Sequence, residues 1–289
     1  MIEWMADFLE SRRLKGASEK TLEDYRVPFG LFYEFADGRP LSLALVNDWA
    51  LSLMGAGKSP ATVRSYLTHI QVFVRWCYHN RKIVEDFAGD IYRPKYPKKV
   101  VRIYTDAEIK QIYQCCKCES DWMEFRNKAI ISLMYDSGLR RDEPCSILRE
   151  NVSWDDNTII VTGKGNKSRY VPMGKNTNWY ITLYMETCPF ENKYLFVNRR
   201  GEPLTSNAVK QFVSKIKAEL PFEFGCHRLR HNFATNFCID SWERTGQIDI
   251  YSLMYLLGHE SIDTTERYLH YAEGIIASKI HVSHLDAIM

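Results

Sequence analysis

The stretch from residue 227 to residue 272 reads HRLRHNFATNFCIDSWERTGQIDIYSLMYLLGHESIDTTERYLHYA. It opens with His227 and Arg230, which lie three residues apart and therefore on the same face of a helix. His259 follows a glycine that is typical of a helix end, and Tyr268 lies nine residues further on, in another predicted helix. This cluster of cationic and protonatable groups with a hydroxyl indicates phosphate chemistry, a hypothesis that the remaining sequence tests.

Length and composition predict one large or two ordinary globular domains. The 289 residues are 45% hydrophobic and 13% aromatic, which is enough apolar material for real cores. The net charge is +2, so contact with nucleic acid depends on where the basic residues cluster. The early acidic residues are unlike a signal peptide, and no apolar run approaches the ~18 residues of a membrane helix. We therefore expect a soluble, cytoplasmic protein with no membrane partner.

The eight cysteines are scattered and show no histidine partner at zinc-ligand spacing. Cys115, Cys116 and Cys118 form the one candidate metal cluster. Reduced cysteines near a helix end are more often small apolar residues than metal ligands. The sequence therefore predicts reduced thiols and no metal site.

Residues 1–92 predict a bundle of about four helices. Ser18 is a favourable cap for a helix with apolar residues at helical spacing. Pro28 falls inside that helix and is expected to kink or split it. Further helices are expected after Ser42 and after Ser59, which precedes a proline in the first turn.

Residues 93–104 are predicted to form an extended, basic linker. Between positions 93 and 102 five of ten residues are basic, none is acidic, and two are prolines, which forbid a helix. A charged run is usually a solvated surface, but an extended cationic segment also suits contact with a phosphate backbone. The residues predicted to contact DNA here are Arg93, Lys95, Lys98, Lys99 and Arg102.

Residues 105–274 predict a second domain, mainly α-helical with a small antiparallel sheet. A capping box at Thr105 opens it. Residues 157–162 and 168–172 flank a glycine-rich turn and predict a β-hairpin, while residues 194–198 predict a third short strand. Apolar residues at helical spacing predict that the rest is helical.

Two residues outside the opening stretch are also candidates for binding phosphate. Arg140 is expected at a helix end and Lys164 at the hairpin tip. Arginine offers a permanent fork for phosphate oxygens, and losing one such donor commonly costs about 10²–10³ in rate. Because no paired carboxylates suited to Mg²⁺ are evident, the nucleophile is expected to come from the protein itself. Each residue alone is more often structural, so the hypothesis depends on their order and spacing.

Four sequence boxes resemble those of the tyrosine recombinases, the phage-integrase type that includes the Xer recombinases. They are SGLRRDE (137–143), GKGNKSR (163–169), HRLRH (227–231), and LLGH followed by TTERY (256–268). They stand in the family's order, and the resemblance is strong over residues 105–272. Residues 18–102 more loosely resemble the family's helical core-binding domain.

The resemblance implies a transesterification without a metal or cofactor. Tyr268 would attack the scissile DNA phosphate, leaving a 3′-phosphotyrosyl link and a free 5′-hydroxyl. By the same resemblance, Arg140 and Arg230 would hold the non-bridging oxygens, and His259 would form a hydrogen bond with the phosphate. Lys164 would protonate the leaving 5′-oxygen, and His227 would take up and return the tyrosine proton. The covalent ester conserves bond energy, so rejoining would not need ATP.

Five residues in or beside these boxes are expected to assist. Glu143 resembles the family's acidic supporting residue, and we expect His231 to support the site as well. Lys167, Arg169 and Arg228 are predicted to contact DNA.

The resemblance also implies the partners and the assembly. The two domains would form a C-shaped clamp around double-stranded DNA, and a homotetramer would act on two recombination sites, with or without a second recombinase or accessory proteins. The protein would work in the cytoplasm, associated with the nucleoid. The tail of residues 275–289 would dock on a neighbouring protomer, or else pack within its own chain.

Two alternative functions and one departure from the family remain. The chain could cleave and reseal a single duplex, as type IB topoisomerases do, or be a DNA-binding accessory factor with little turnover. The helix predicted over 227–240 is followed by a polar loop, and residues 241–247 are expected to be an insertion relative to the Xer type.

Overall fold

The computed structural model describes residues 1–95, 102–163, 165, 167–281 and 288. The chain divides into two compact units, Met1–Lys99 and Val100–Met289, and each is described by itself. No helix in the described ranges is long and apolar enough to cross a membrane.

The first unit contains four helices in its described part. They are α1 (Ile2–Leu14), α2 (Glu19–Ala36), α3 (Leu43–Gly55) and α4 (Pro60–His79). Ser18, Ser42 and Ser59 precede α2, α3 and α4, and each hydroxyl accepts a backbone N–H from three residues later at 3.2 Å. The three predicted helix starts are confirmed, because each serine pairs a donor that the first turn leaves free.

Pro28 does not split α2, and the alternative expectation that it kinks the helix stays a prediction. The helix runs from Glu19 to Ala36 with Pro28 buried inside it. An internal proline costs about 3 kcal/mol because it removes one helical hydrogen bond. Burial of Phe29 and Phe32 offsets this loss, since each such side chain contributes about 1.5–3 kcal/mol.

The second unit is mainly helical with one small antiparallel sheet, which confirms the predicted fold class. Its helices are α5 (Asp106–Gln114), α6 (Asp121–Asp136), α7 (Lys175–Thr187), α8 (Ser206–Glu219), α9 (Cys226–Thr245), α10 (Ile250–Leu257) and α11 (Asp263–Ile280). Its strands are β1 (Val152–Ser153), β2 (Thr158–Thr162) and β3 (Ser168–Pro172). Thr105 begins α5 with the predicted capping box.

The sheet has the order β1-β2-β3, and its third strand is β1 rather than the predicted segment 194–198. In the described chain that segment forms only isolated bridges, from Tyr194 to Leu148 and from Val197 to Pro203. One half of the segment pairs with residues 147–149, which precede β1, and the other half pairs with residues 202–204, so neither pairing extends into a ladder.

Helix α9 extends beyond its predicted end at residue 240. The segment 241–247, expected to be an inserted loop, is the last turn of α9 and its cap. Gly246 has a φ of 72° and donates its N–H to the carbonyl of Trp242 at 2.7 Å. Glycine enters this left-handed conformation without a Cβ clash, so it ends the helix.

Helix α11 contains the first part of the predicted tail. Ile276 is buried in an apolar cluster with Tyr268 and Leu253, and Ile275 packs against it, so this part of the tail packs within its own chain, whereas residues 277–280 are exposed. Residues 282–287 and 289 lie outside the described residues, and their docking on a neighbouring protomer stays a prediction.

Candidate functional site

Arg140 lies in the loop after α6, where a glycine allows the loop to approach α9. Gly138 has a φ of 66°, and a Cβ at this position would lie 2.4 Å from Cδ1 of Phe233, so only glycine fits. Arg140 Nη1 donates to Glu143 Oε1 at 3.1 Å, and Nη2 donates to the carbonyl of Gly258 at 3.0 Å. The loop thus brings a half-exposed guanidinium to the C-terminal end of α10.

Glu143 is a buried carboxylate that joins two arginines. Arg169 donates to both of its oxygens, from Nη1 and Nη2 at 2.9 Å each, and the backbone N–H of Arg140 donates to Oε2 at 2.7 Å. Burial alone would raise the pKa of Glu143, but these hydrogen bonds and the two positive charges outweigh it and lower the pKa. Glu143 is therefore ionised and orients Arg140.

Arg169 is held inside the protein by described partners, and its predicted contact with DNA stays a prediction. Its side chain is 5% exposed, and its third nitrogen, Nε, donates to the carbonyl of Leu256 at 2.6 Å. Strand β3 alternates, with Arg169 and Val171 buried and Ser168 and Tyr170 exposed. This alternation was a signal in the sequence, because a basic residue on the inward face of a strand requires a buried acidic partner.

Arg230 is buried at the centre of the site, 2% exposed. Nη1 donates to the carbonyl of Gly138 at 2.7 Å, and Nη2 donates to the carbonyl of Leu257 at 2.6 Å and to Nε2 of His259 at 3.0 Å. Burial, followed by the charge of Arg140, lowers the pKa of Arg230 to about 10. The group therefore remains charged at neutral pH.

His259 is neutral, and its tautomer follows from its partners. Its Nε2 must accept from Arg230, because a guanidinium can only donate. The proton therefore lies on Nδ1, which donates to Thr265 Oγ1 at 2.8 Å. Burial, followed by the charge of Arg230, lowers the pKa of His259 to about 4. Sequence reasoning quoted Thr265 within a box but missed its role of holding this ring.

Tyr268 projects from α11 and is 2% exposed. Its ring is stacked on His259 with centroids 6.1 Å apart and meets His231 edge-on at 4.8 Å. His231 in turn meets His227 edge-on at 5.0 Å. Partial desolvation, followed by the charges of Arg230 and other nearby arginines, lowers the pKa of His227. The structure thus brings together five of the six predicted catalytic residues.

The sixth, Lys164, lies outside the described residues, as do Lys98 and Lys99 of the predicted linker. The residue before it, Gly163, is beside the site, because a Cβ added there would lie 3.4 Å from Glu143 Oε1 and 3.8 Å from Arg140 Nη1. The residue after β2 therefore lies next to Glu143 and Arg140, the two groups that anchor the site.

The remaining basic residues do not join the central cluster. Arg102 pairs with Glu108 at 2.6 Å, and Arg228 pairs with Glu223 at 3.1 Å while lying over the ring of Tyr104. Lys95 is exposed and Arg93 partly exposed on the first unit. Lys167 is exposed and pairs with Glu260 at 3.0 Å. Their contacts with DNA stay predictions.

An open groove of about 930 Å³ borders the cluster. Its walls include Arg140, Lys167, Tyr255 and His259. Arg140 and Arg230 have five N–H groups each. Arg140 donates two of them to described residues and Arg230 donates three. Three N–H groups of Arg140 and two of Arg230 are therefore not used by described residues. The arrangement can therefore bind an oxyanion beside a tyrosine hydroxyl. Among the described residues, no group of His, Cys, Asp and Glu is arranged to hold a metal ion.

Sequence comparison finds relatives along nearly the whole chain. Tyrosine recombinase XerC of Bacillus subtilis (strain 168) is 25% identical over 293 residues, covering 98% of this chain and 87% of the relative. Tyrosine recombinase XerC of Rhizobium meliloti (strain 1021) is 29% identical over 283 residues, covering 92% and 86%.

Solved structures share the fold. A λ integrase dimer bound to a COC′ core site matches with a TM-score of 0.71 at 20% identity, covering 91% of this chain and 96% of that one. A λ integrase tetramer bound to a Holliday junction matches with a TM-score of 0.69 at 19% identity, covering 90% and 77%.

A sequence model of the phage integrase family matches residues 102–274, the region that contains the whole candidate site. The chain therefore belongs to the phage integrase family and is a tyrosine-type site-specific DNA recombinase.

Proposed function

We propose that the protein cuts and rejoins DNA strands through a covalent 3′-phosphotyrosyl intermediate on Tyr268, without a metal ion or ATP. Its substrate is double-stranded DNA at recombination sites. The phosphotyrosyl ester retains the energy of the broken phosphodiester, so the 5′-hydroxyl of another strand can displace Tyr268 and complete the exchange.

One observation carries the proposal: two guanidinium groups from distant parts of the chain meet at the end of α10. Arg230 donates to the carbonyl of Leu257 and Arg140 to the carbonyl of the next residue, Gly258. Immediately beyond them, the ring of His259 stacks on the ring of Tyr268. Nothing in local folding requires two arginines, a histidine and a tyrosine to converge in this way, whereas phosphoryl transfer does.

The convergence supplies the charge that the transition state needs. Negative charge develops on the non-bridging oxygens of the phosphate, and the free N–H groups of Arg140 and Arg230 stabilise it. Both guanidinium groups are already fixed by carbonyl and carboxylate partners, so little reorganisation accompanies the reaction. Two fixed arginines thus provide the charge stabilisation that metal-dependent enzymes obtain from Mg²⁺.

The step balances as follows. Tyr268 Oη attacks phosphorus, the bond from oxygen to phosphorus forms, and the bond from phosphorus to the 5′-oxygen breaks. The tyrosine proton passes to His227, and the leaving 5′-oxygen takes a proton from Lys164. Tyrosine ordinarily has a pKa near 10, so this transfer requires the base and the neighbouring cations. Rejoining reverses each transfer.

The DNA complexes of λ integrase support DNA as the partner, and its tetramer on a Holliday junction supports a multimeric assembly. We assign a homotetramer acting on two sites. The protein acts where its substrate is, on nucleoid DNA.

Trapping on nicked suicide DNA tests the proposal. Loss of a short fragment beyond the nick prevents rejoining, so a covalent protein–DNA adduct accumulates and is seen as a shifted band in denaturing gels. Tyr268→Phe should bind DNA normally and give no adduct. Tyr271→Phe, on the same helix, is the matched control and should give wild-type adduct. An adduct that persists in Tyr268→Phe would refute the assignment of the nucleophile.

A further inference from the structure

A chain of three rings connects α9 to Tyr268. His227 and His231 lie one turn apart on α9, with ring centroids 5.0 Å apart and planes at 89°. His231 meets the Tyr268 ring with centroids 4.8 Å apart and planes at 61°. The Tyr268 ring is also nearly parallel to that of His259, with centroids 6.1 Å apart and planes at 11°. Two imidazoles from different segments therefore contact the tyrosine ring.

These ring contacts and burial in the apolar cluster, rather than a hydrogen bond to a described residue, hold Tyr268. Its hydroxyl has no hydrogen bond to any residue in the described ranges, although the side chain is 2% exposed. The imidazole of His259 is itself fixed by Thr265 and Arg230. The direction in which Oη points depends on the ring orientation, so it depends on the two imidazoles.

His231 differs from a histidine that serves the fold through hydrogen bonds. Neither of its ring nitrogens forms a hydrogen bond with a described residue, although the side chain is partly buried. Its recorded contacts are the edge-on contacts with His227 and Tyr268. Edge-on aromatic pairs of this kind favour a definite relative orientation at centroid distances of about 4.5–7 Å.

We propose that His231 is a positioning residue for Tyr268: its imidazole, edge-on to the phenol ring, sets the orientation from which Oη attacks phosphorus. The inference rests on the proposed function, in which Tyr268 is the nucleophile. It adds the residue that orients this nucleophile and distinguishes it from His227, which receives the proton.

The pKa of His231 suits a residue that positions Tyr268 rather than one that accepts its proton. Burial, followed by the charges of His227, Arg267, Arg230 and Arg228, lowers the pKa of His231 to about 4. These groups face it from both α9 and α11, and Tyr268 is its other titratable neighbour on α11. At neutral pH the imidazole is therefore uncharged and a weak base, so its contribution comes from where its ring lies.

Variants of His231 test the proposal in the full-length protein on nicked suicide DNA. His231→Ala removes the ring and should slow adduct formation roughly 2- to 12-fold, the rate equivalent of one aromatic pair, while the Kd for DNA stays unchanged. His231→Phe restores an aromatic edge without nitrogens and should return the rate to within about twofold of wild type. Phe237→Ala is the matched control, because it truncates a ring in the same α9–α11 cluster whose recorded ring partner is Phe233. It should not slow adduct formation.

Two outcomes overturn the inference. Adduct formation by His231→Ala at the wild-type rate would show that the ring is dispensable, and a His231→Phe variant as slow as His231→Ala would show that the nitrogens matter instead. If His231→Ala fails to fold, His231→Leu replaces it, and equal rates for Leu and Phe overturn the proposal. Failure of the proposed function is separate, since it appears as adduct formation by Tyr268→Phe.

Discussion

Replacing Arg169 with methionine should destabilise the second unit while leaving its phosphate contacts unchanged. The guanidinium makes two bonds of 2.9 Å to Glu143 and one of 2.6 Å to the carbonyl of Leu256. Methionine replaces the aliphatic part of the arginine side chain but has none of these donors. Arg169→Met therefore leaves a carboxylate that is 5% exposed with Arg140 as its remaining cationic partner.

The magnitude follows from the burial of the pair. Removing one partner of a buried ion pair costs about 3–5 kcal/mol, and the retained contacts from Arg140 place the expected loss near the lower value, about 3 kcal/mol. A domain of about 150–250 residues loses roughly 2–4 °C in Tm per kcal/mol. The second unit, residues 100–289, falls in that range, so its Tm should drop by roughly 6–12 °C.

Calorimetry of the full-length protein with a matched control tests this prediction. Lys167→Met removes an exposed pair whose side chains are 74% and 79% exposed, and such pairs contribute about 0–1 kcal/mol. Its Tm should hardly change. If Arg169→Met lost less than about 1 kcal/mol and also lowered the salt dependence of DNA binding, Arg169 would be a phosphate contact after all.

The same pair fixes the sign of a pH effect. The pKa of Glu143 is lowered in the folded protein, so its ion pair stabilises the fold above the ordinary carboxyl value, 4.5, and this stability is lost as the pH falls through the lowered pKa. The difference in Tm between wild type and Arg169→Met should therefore narrow as the solution is acidified.

Three further predictions concern the site and its DNA. Lys164→Ala should bind DNA and cleave it slowly, and a 5′-thio leaving group, which needs no proton, should restore the rate; a failed rescue would count against its role as the acid. In fluorescence anisotropy, DNA affinity should fall steeply with salt, and Lys167→Ala should reduce the slope of log K against log salt by about 0.9, whereas an unchanged slope would remove Lys167 from the phosphate contacts. By NMR, His231 and His259 should titrate near pH 4 rather than 6.5. The stability that their neutral forms contribute is therefore complete above pH 6.5 and declines as the pH falls towards 4. Titration near 6.5 would contradict their burial.

The sequence predicted helix starts correctly where a side chain forms a hydrogen bond with the backbone of its own segment. Ser18, Ser42 and Ser59 cap helices as predicted, because a hydroxyl three residues before a free N–H satisfies it in any context. Two predicted breaks are absent: α2 is not split at Pro28, and α9 continues through residues 241–245, where a loop was expected. In both cases the helix is long enough that burial on either side of the weak position outweighs the local cost.

In the candidate site, too, some features could be predicted from the sequence and others depend on the tertiary structure. Residue types and their order alone determined the family and indicated Arg140, Arg230, His259 and Tyr268, since charge and nucleophilicity are properties of single side chains. Only the tertiary structure decided which partners hold each cation. Arg169 looked equivalent to Lys167 in the sequence, yet the inward face of β3 places it against Glu143, and its three nitrogens are already bonded.

The opening stretch, residues 227–272, contains the nucleophile and its neighbours, but it does not determine how they face each other. The contacts of Tyr268 with His231 and His259 depend on α11 packing against α9, which is a contact between separate segments of the chain. Ring orientation is set by such long-range burial, and a sequence pattern, which reports the faces of single helices, carries no information about it.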